Sequence, residues 1–337
     1  MAITRRALLA AAGAASAAAC TTPPVGPPRL SRPVVHQRGI VEPERRHTVL
    51  AAFDVVGDLE QVLHSLRGLA PAGDVVLSVG ASLFDARPGL ARPSLLTTMP
   101  AFPGDVLDPT DCGGDVLAQL SSDDPSALPS AFDVPGARLR WTVEGQHTGR
   151  NAFGFREGTG NPDAWNPDLM DQLVWVQPGD PEPEWCVGGT YLAVRLIRLA
   201  MPTWDSKSTA DQELVFGRHK ESGAPLGSTG EQDALDYVND PEGTRIPLNA
   251  HIRRANPRTP ESQAHRILRR GYTYRRPADA AGEHIGHIFT CYQRDLERGF
   301  ATTQRRLAGE ALAAYLLPFG GGYYFVLPGD NTAPGER

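Results

Sequence analysis

Cysteine is scarce in this chain, with four in 337 residues at positions 20, 112, 186 and 291 and no Cys-x-x-Cys spacing. That excludes a zinc ribbon. If the segment ending at Cys20 is removed, Cys112, Cys186 and Cys291 remain, an odd set that makes no disulfide framework and is read as free thiols, or as one bridge with one thiol left over. An excess of basic charge is missing too. The formal net charge is -6, and residues 1–20 hold Arg5 and Arg6 but no acid, so the chain without them stands at -8. An acidic surface argues against nucleic acid, and against an anionic membrane surface, as partners. Long apolar runs are also absent. The alanine-rich stretch 7–19 is too short to cross a bilayer, so no transmembrane span is expected in the mature chain.

What is present begins with an export signal. Thr4-Arg5-Arg6-Ala7-Leu8-Leu9 followed by the apolar run ending at Ser16-Ala-Ala-Ala-Cys20 reads as a twin-arginine signal, with no polar face beyond Ser16 to make an amphipathic helix of it. The expected location is periplasmic or otherwise extracytoplasmic. Cys20 is a candidate lipid anchor, with cleavage among the alanines as the alternative. Thr21-Thr-Pro-Pro-Val-Gly-Pro-Pro28 reads as an extended tether, so residues 1–30 are set aside as signal and tether.

One pattern then occurs twice. His47–Asp54 reads as a buried strand, Asp58 caps a helix with Leu59, Leu63, Leu66 and Leu69 on one face, and Asp74–Val79 is a second strand. Near the other end, Ile288–Tyr292 leads into a helix with Leu296, Phe300, Thr303 and Leu307 aligned, and Tyr323–Val326 returns as a strand. Two α+β halves of similar architecture are expected, divided near Arg150 into residues 31–150 and 151–330.

Two segments carry the chemistry. Gly154-Phe-Arg-Glu-Gly-Thr-Gly-Asn-Pro162 sets one carboxylate, Glu157, in a glycine-rich turn, and His251-Ile-Arg-Arg-Ala-Asn-Pro-Arg258 sets one histidine beside three arginines. A lone acid facing a lone imidazole and several cations suits a buried anionic cofactor better than a hydrolytic triad. Haem meets the description, because it needs one axial nitrogen, cations for two propionates and a polar group on the far side.

Both segments resemble the haem-binding signatures of the dye-decolourising peroxidase family, in its exported deferrochelatase/peroxidase branch. The likeness extends over His36-Gln-Arg-Gly-Ile40, Phe102-Pro-Gly-Asp105, Gly113-Gly-Asp115, Gly188-Gly-Thr-Tyr191, Gly217-Arg-His-Lys220, Gly223-Ala-Pro-Leu226 and Ile267-Leu-Arg-Arg-Gly-Tyr272, in that order, from about His36 to Gly329. The resemblance implies two packed ferredoxin-like domains of the dimeric α+β barrel type, with haem b held mainly by the second. It implies a peroxidase that reduces hydrogen peroxide and oxidises bulky dyes, phenolics or ferrous iron, with iron-uptake components as partners and a homo-oligomer as an allowed state.

By the same resemblance, His251 is the proximal ligand of the haem iron. Glu157 and Arg269 are catalytic, the acid moving a proton between the peroxide oxygens and the arginine stabilising developing negative charge. Arg270 is the neighbour most easily confused with Arg269. Gly158, Thr159 and Gly160 let the backbone approach the cofactor, and Asn256, Pro257 and Arg258 belong near a propionate or the porphyrin edge. His284 and His287 form a His-x-x-His, but on a strand residues three apart point to opposite faces, which argues against a shared metal. The remaining histidines, His265 among them, are assigned solvated or capping roles.

Three features depart from the family pattern. Glutamate stands at 157 where relatives carry aspartate. The stretch Ser122–Ser130 keeps an Asp-Asp-Pro but lacks a histidine after it. Ala314 stands where an acid is expected to hold the proximal imidazole. Loss of that acceptor would make the axial ligand less anionic. The departures leave two further readings open, a low-turnover haem-handling protein and an interaction scaffold without haem.

Overall fold

The computed structural model describes residues 34–70, 72–279 and 282–329. The twin-arginine segment, the tether and Cys20 lie outside the described residues.

Eight antiparallel strands close into a barrel: β1 (His47–Val55), β2 (Asp74–Gly80), β3 (Val116–Ser122), β4 (Ala137–Gln146), β5 (Thr190–Leu199), β6 (Leu268–Asp279), β7 (Gly282–Gln293) and β8 (Leu316–Val326). Round the barrel they run β1-β3-β2-β8-β5-β7-β6-β4. The first four strands therefore lie in the order fourth, first, third, second, and the last four repeat it. This is the order of two ferredoxin-like sheets, so the expected α+β class holds. The halves meet at two seams. At one, Ser78, Val79 and Gly80 pair with Val326, Phe325 and Tyr324; at the other, Gln146 pairs with Thr273.

Strand alternation sorts the apolar residues into two layers. Leu50, Val76, Leu117, Val143, Leu192, Tyr272, Ile288 and Tyr324 form one buried cluster, and since they come from all eight strands that cluster fills the barrel interior. Their neighbours Ala51, Phe53, Leu77, Val116, Tyr191 and Phe325 face outward into a second cluster with Val62, Leu63 and Leu66 of helix α1 (Leu59–Arg67). Asp58 caps that helix, accepting from the Gln61 amide at 2.8 Å. At the chain's other end, Leu296 and Phe300 are buried, and the helix opens with a wide turn over Glu297–Ala301 before its regular part. Cys112, Cys186 and Cys291 are free thiols.

The remaining helices are short. α2 (Ala81–Ala86) follows β2, and α3 (Pro167–Leu173) precedes β5. α4 (Met201–Asp205), α5 (Thr209–Phe216), α6 (His251–Ala255) and α7 (Pro260–Gln263) fill the crossover from β5 to β6, and α8 (Thr302–Leu307) follows β7. Residues of α5, α6, α7 and α8 face residues of β5–β8 across a cavity, and this space is the candidate site. Among the described residues no helix is long and apolar enough to cross a membrane.

Candidate active site

A cavity of about 270 Å³ lies between this sheet and its helices. A single water needs about 10–15 Å³ on that measure, so the space suits a sizeable ligand rather than a few solvent molecules. His251, Glu157, Gly158, Thr159, Gly160, Asn256, Arg258 and Arg269 all line it, although the segments that carry them are far apart in sequence. Pro257 is not among the lining residues.

His251 opens helix α6. Its Nδ1 lies 2.6 Å from Glu310 Oε2, and Glu310 is buried. A buried carboxylate at that distance accepts, so Nδ1 carries the proton and Nε2 keeps a free electron pair. Glu310 precedes the 3₁₀ turn Ala311–Tyr315. The expectation about Ala314 is therefore corrected. The acceptor comes from the residue that leads into the turn, four positions earlier, and the proximal imidazole keeps its acid.

Arg269 lies on the outer face of β6, half-buried. Its Nε donates to Asn161 Oδ1 at 3.1 Å and a terminal nitrogen donates to the Thr159 carbonyl at 2.9 Å. Burial pushes this guanidinium below its ordinary value, and the Glu157 charge opposes that shift. Arg270 points the other way, to the Ile40 and Glu42 carbonyls and to Glu44 at 2.6 Å. Strand alternation thus separates the two neighbours.

Gly158 and Gly160 have φ of 75° and 78°, the left-handed conformation that glycine adopts without strain. They turn the Thr159 carbonyl toward Arg269 while the Thr159 hydroxyl donates to Glu231 at 2.8 Å. Asn256 Oδ1 accepts from the Arg258 amide at 3.0 Å and from Ser262 Oγ at 2.8 Å, so it braces the loop. That loop holds Arg258 at φ 61°, unusual for a non-glycine residue.

Several lining residues carried no assigned role in the sequence reading. Arg218, inside the Gly217–Lys220 motif, and Arg266 join Arg258 and Arg269 on the wall. Burial lowers the Arg218 and Arg266 guanidinia, and the other cations, Arg258 foremost, lower them further. The Nε atoms of Arg218 and Arg258 are buried without a hydrogen-bond partner. Cations that repel one another on one wall are arranged for a ligand with more than one negative charge. His265 and His287 line the cavity as well, and His265 also meets the Arg298 carbonyl of the 297–301 turn through Nδ1 at 2.6 Å, in keeping with the capping role expected of it. His284 and His287 do diverge as strand alternation requires. His284 Nε2 meets the Tyr274 hydroxyl at 3.0 Å, while His287 turns to Glu157.

An α+β barrel carrying a tethered imidazole, an acid and an arginine on the wall of a cationic cavity defines a protein whose chemistry is done by a bound anionic group. The comparisons name the class more closely. Residues 148–331 match the C-terminal model of the Dyp-type peroxidases, and residues 72–134 match the N-terminal one. The chain is 41% identical to the deferrochelatase of Escherichia coli O157:H7 and 42% identical to that of strain K12, each match covering 88% of this chain and 84% of the relative. Among solved structures, the DyP-type peroxidase of Cellulomonas bogoriensis is 32% identical with a TM-score of 0.77, covering 89% of this chain and 94% of that one. Ferric DtpA of Streptomyces lividans is 30% identical with a TM-score of 0.77, covering 90% and 93%. The chain belongs to the Dyp-type peroxidase family.

Proposed function

We propose that the chain is a haem peroxidase in which His251 is the axial ligand, Glu157 moves the proton of hydrogen peroxide and Arg269 supplies fixed positive charge. The residues present fit haem b. The donor set offers one imidazole with one nitrogen held by Glu310 and the other free, and Arg218, Arg258 and Arg266 on the same wall suit the two propionates. When bound, haem supplies the redox chemistry, taking the oxidising equivalents of peroxide and passing them to a donor.

The protein's own groups do the rest. Glu310 fixes the tautomer and orientation of His251. The Glu157 carboxylate takes a proton from one peroxide oxygen and returns it to the oxygen that leaves as water. Arg269, held by Asn161 and Thr159 so that it need not reorganise, stabilises the negative charge that develops as the O–O bond breaks.

The observation that carries the proposal is the 2.6 Å contact between His251 and Glu310. It also supplies the acid that the reading as a low-turnover haem-handling protein took as missing at Ala314, and leaves Glu157 as the remaining departure behind that reading. Bulky dyes, phenolics or ferrous iron are the proposed donors, and the deferrochelatase relatives favour a place in iron acquisition from haem. The same reading includes twin-arginine export to the periplasm with Cys20 as the candidate anchor point, iron-uptake components as partners, a homo-oligomer, and a division into residues 31–150 and 151–330.

The test is spectroscopic and kinetic. His251→Ala abolishes stoichiometric haem binding or shifts the Soret band. In stopped-flow reaction of the ferric protein with hydrogen peroxide, Glu157→Gln is slower by about 10²–10⁴-fold, and Arg269→Leu is also slowed. Unchanged rates in both variants would remove these two residues from the reaction.

A further inference from the structure

Glu157 does not face the cavity alone. Its extra methylene carries the carboxylate across β6 to Gly271 and the imidazole of His287. A side chain at 271 would occupy the same space, because a Cβ built there lies 2.6 Å from Glu157 Oε2 and 2.7 Å from His287 Cε1. The missing Cβ is what lets acid and imidazole approach one another. Glu157 Oε1 and His287 Nδ1 are 4.0 Å apart, about an ångström beyond hydrogen-bond contact. His287 Nδ1 is buried with no partner, and a buried polar atom without one is uncommon enough to call for an explanation.

The surroundings are charged on three sides. Glu157 approaches from the 154–162 turn and Arg269 from β6. His147, just after β4, approaches with its Nδ1 3.1 Å from the Gly271 carbonyl. From β5 the register partner of His287 is Ile197, which is apolar. Burial lowers the proton affinity of His287, the Glu157 charge raises it, and Arg269 and His147 lower it again. In the tautomer with its proton on Nε2, His287 presents Nδ1 as a base 4.0 Å from the carboxylate.

We propose that Glu157 and His287 act as one proton-carrying pair, with His287 positioning the carboxylate and sharing its proton during the peroxide reaction. The inference rests on the reading of Glu157 as the proton-moving acid. The transfer balances simply. The peroxide O–H bond breaks as the Glu157 O–H bond forms. That proton passes to His287 Nδ1, leaving a carboxylate beside an imidazolium, and it returns by the same path to the oxygen that departs as water. No electron is exchanged between the two residues.

The experiment is a pH profile of the peroxide reaction in wild type, His287→Leu and His287→Gln. Loss of the imidazole moves the acidic limb upward by about one pH unit or more, from the attraction of unit charges at about 4 Å. Glutamine keeps polarity and approximate size without the charge, so it follows leucine, and it stands in for leucine if that variant does not fold. In a Glu157→Asp background, where the carboxylate is drawn back, His287→Leu causes no further shift. A readout independent of turnover uses protein loaded with zinc protoporphyrin, which is diamagnetic. There the NMR titration midpoint of the His287 imidazole falls in Glu157→Gln, because the charge opposing burial is gone. Superimposable profiles for His287→Leu and wild type, or an imidazole midpoint that ignores Glu157→Gln, overturn the pair and leave Glu157 as a lone base. A wild-type peroxide rate in Glu157→Gln overturns the reading of Glu157 itself.

Discussion

Glu310 and His251 form a contact that one substitution dissects. Glu310→Gln keeps the size of the side chain but removes the negative charge that the Nδ1–H faces at 2.6 Å. Without that charge the imidazole lends its other nitrogen less strongly, so haem is held about 10–100-fold more weakly. The ferric–ferrous reduction potential rises for the same reason. Haem transfer to apomyoglobin measures the first effect and spectroelectrochemical titration the second. If both match wild type, Glu310 only packs against the ring. On the opposite wall, Glu157 shows how one methylene changes a site, since the longer arm puts the carboxylate over Gly271 beside His287 instead of leaving it alone in its turn.

Helix α6 depends on a loop that precedes it. Asp240 is buried and accepts from the Ile246 and Arg245 amides and the Thr244 hydroxyl, and it pairs with Arg253 of α6 at 2.9 Å. These bonds, the Ile246 amide first, hold its carboxyl well below the usual carboxylate range. A depressed folded-state value contributes stability that is complete above the unfolded value of about 4 and is lost as pH falls through the folded value. Helix α6 and its haem site therefore loosen in acid below about pH 4, and Asp240→Asn loosens them already at neutral pH, as haem loss followed at the Soret band will register. Strand β8 is held by a different constraint. Gly321 sits at φ 117°, and a Cβ there would lie 2.0 Å from the Val194 carbonyl of β5. Gly321→Ala must displace one strand from the other, at a cost of about 2–4 kcal/mol in stability. Chemical denaturation of the purified variant checks this, and a midpoint equal to wild type contradicts the close approach.

At the scale of the whole molecule, the described residues close into a barrel, and the proposed export concerns the segment that precedes it. A twin-arginine signal suits a protein that folds and takes up its cofactor before it leaves the cytoplasm. Replacing Arg5 and Arg6 with lysine leaves the precursor in the cytoplasm, folded and haem-loaded, and cell fractionation with a Soret measurement on each fraction follows it. Wild-type amounts outside the membrane would refute the signal. By itself the sequence determined much of the local structure. The Asp58 cap, the leucine face of α1, the buried strand β1 and the glycine-rich turn at 154–162 all rest on residues close together in the chain, where propensity and periodicity act. Tertiary structure alone decided three things. Barrel closure depends on Ser78 meeting Val326 and Gln146 meeting Thr273, pairings without local signature. The acid that holds His251 is Glu310 rather than a residue at position 314, because a 3₁₀ turn sets which side chain faces α6. The convergence of Arg218, Arg266 and His287 on one cavity follows from strands and helices distant in sequence sharing a sheet face. Such neighbours are selected by packing, which acts through space and leaves no fixed spacing in the chain to read.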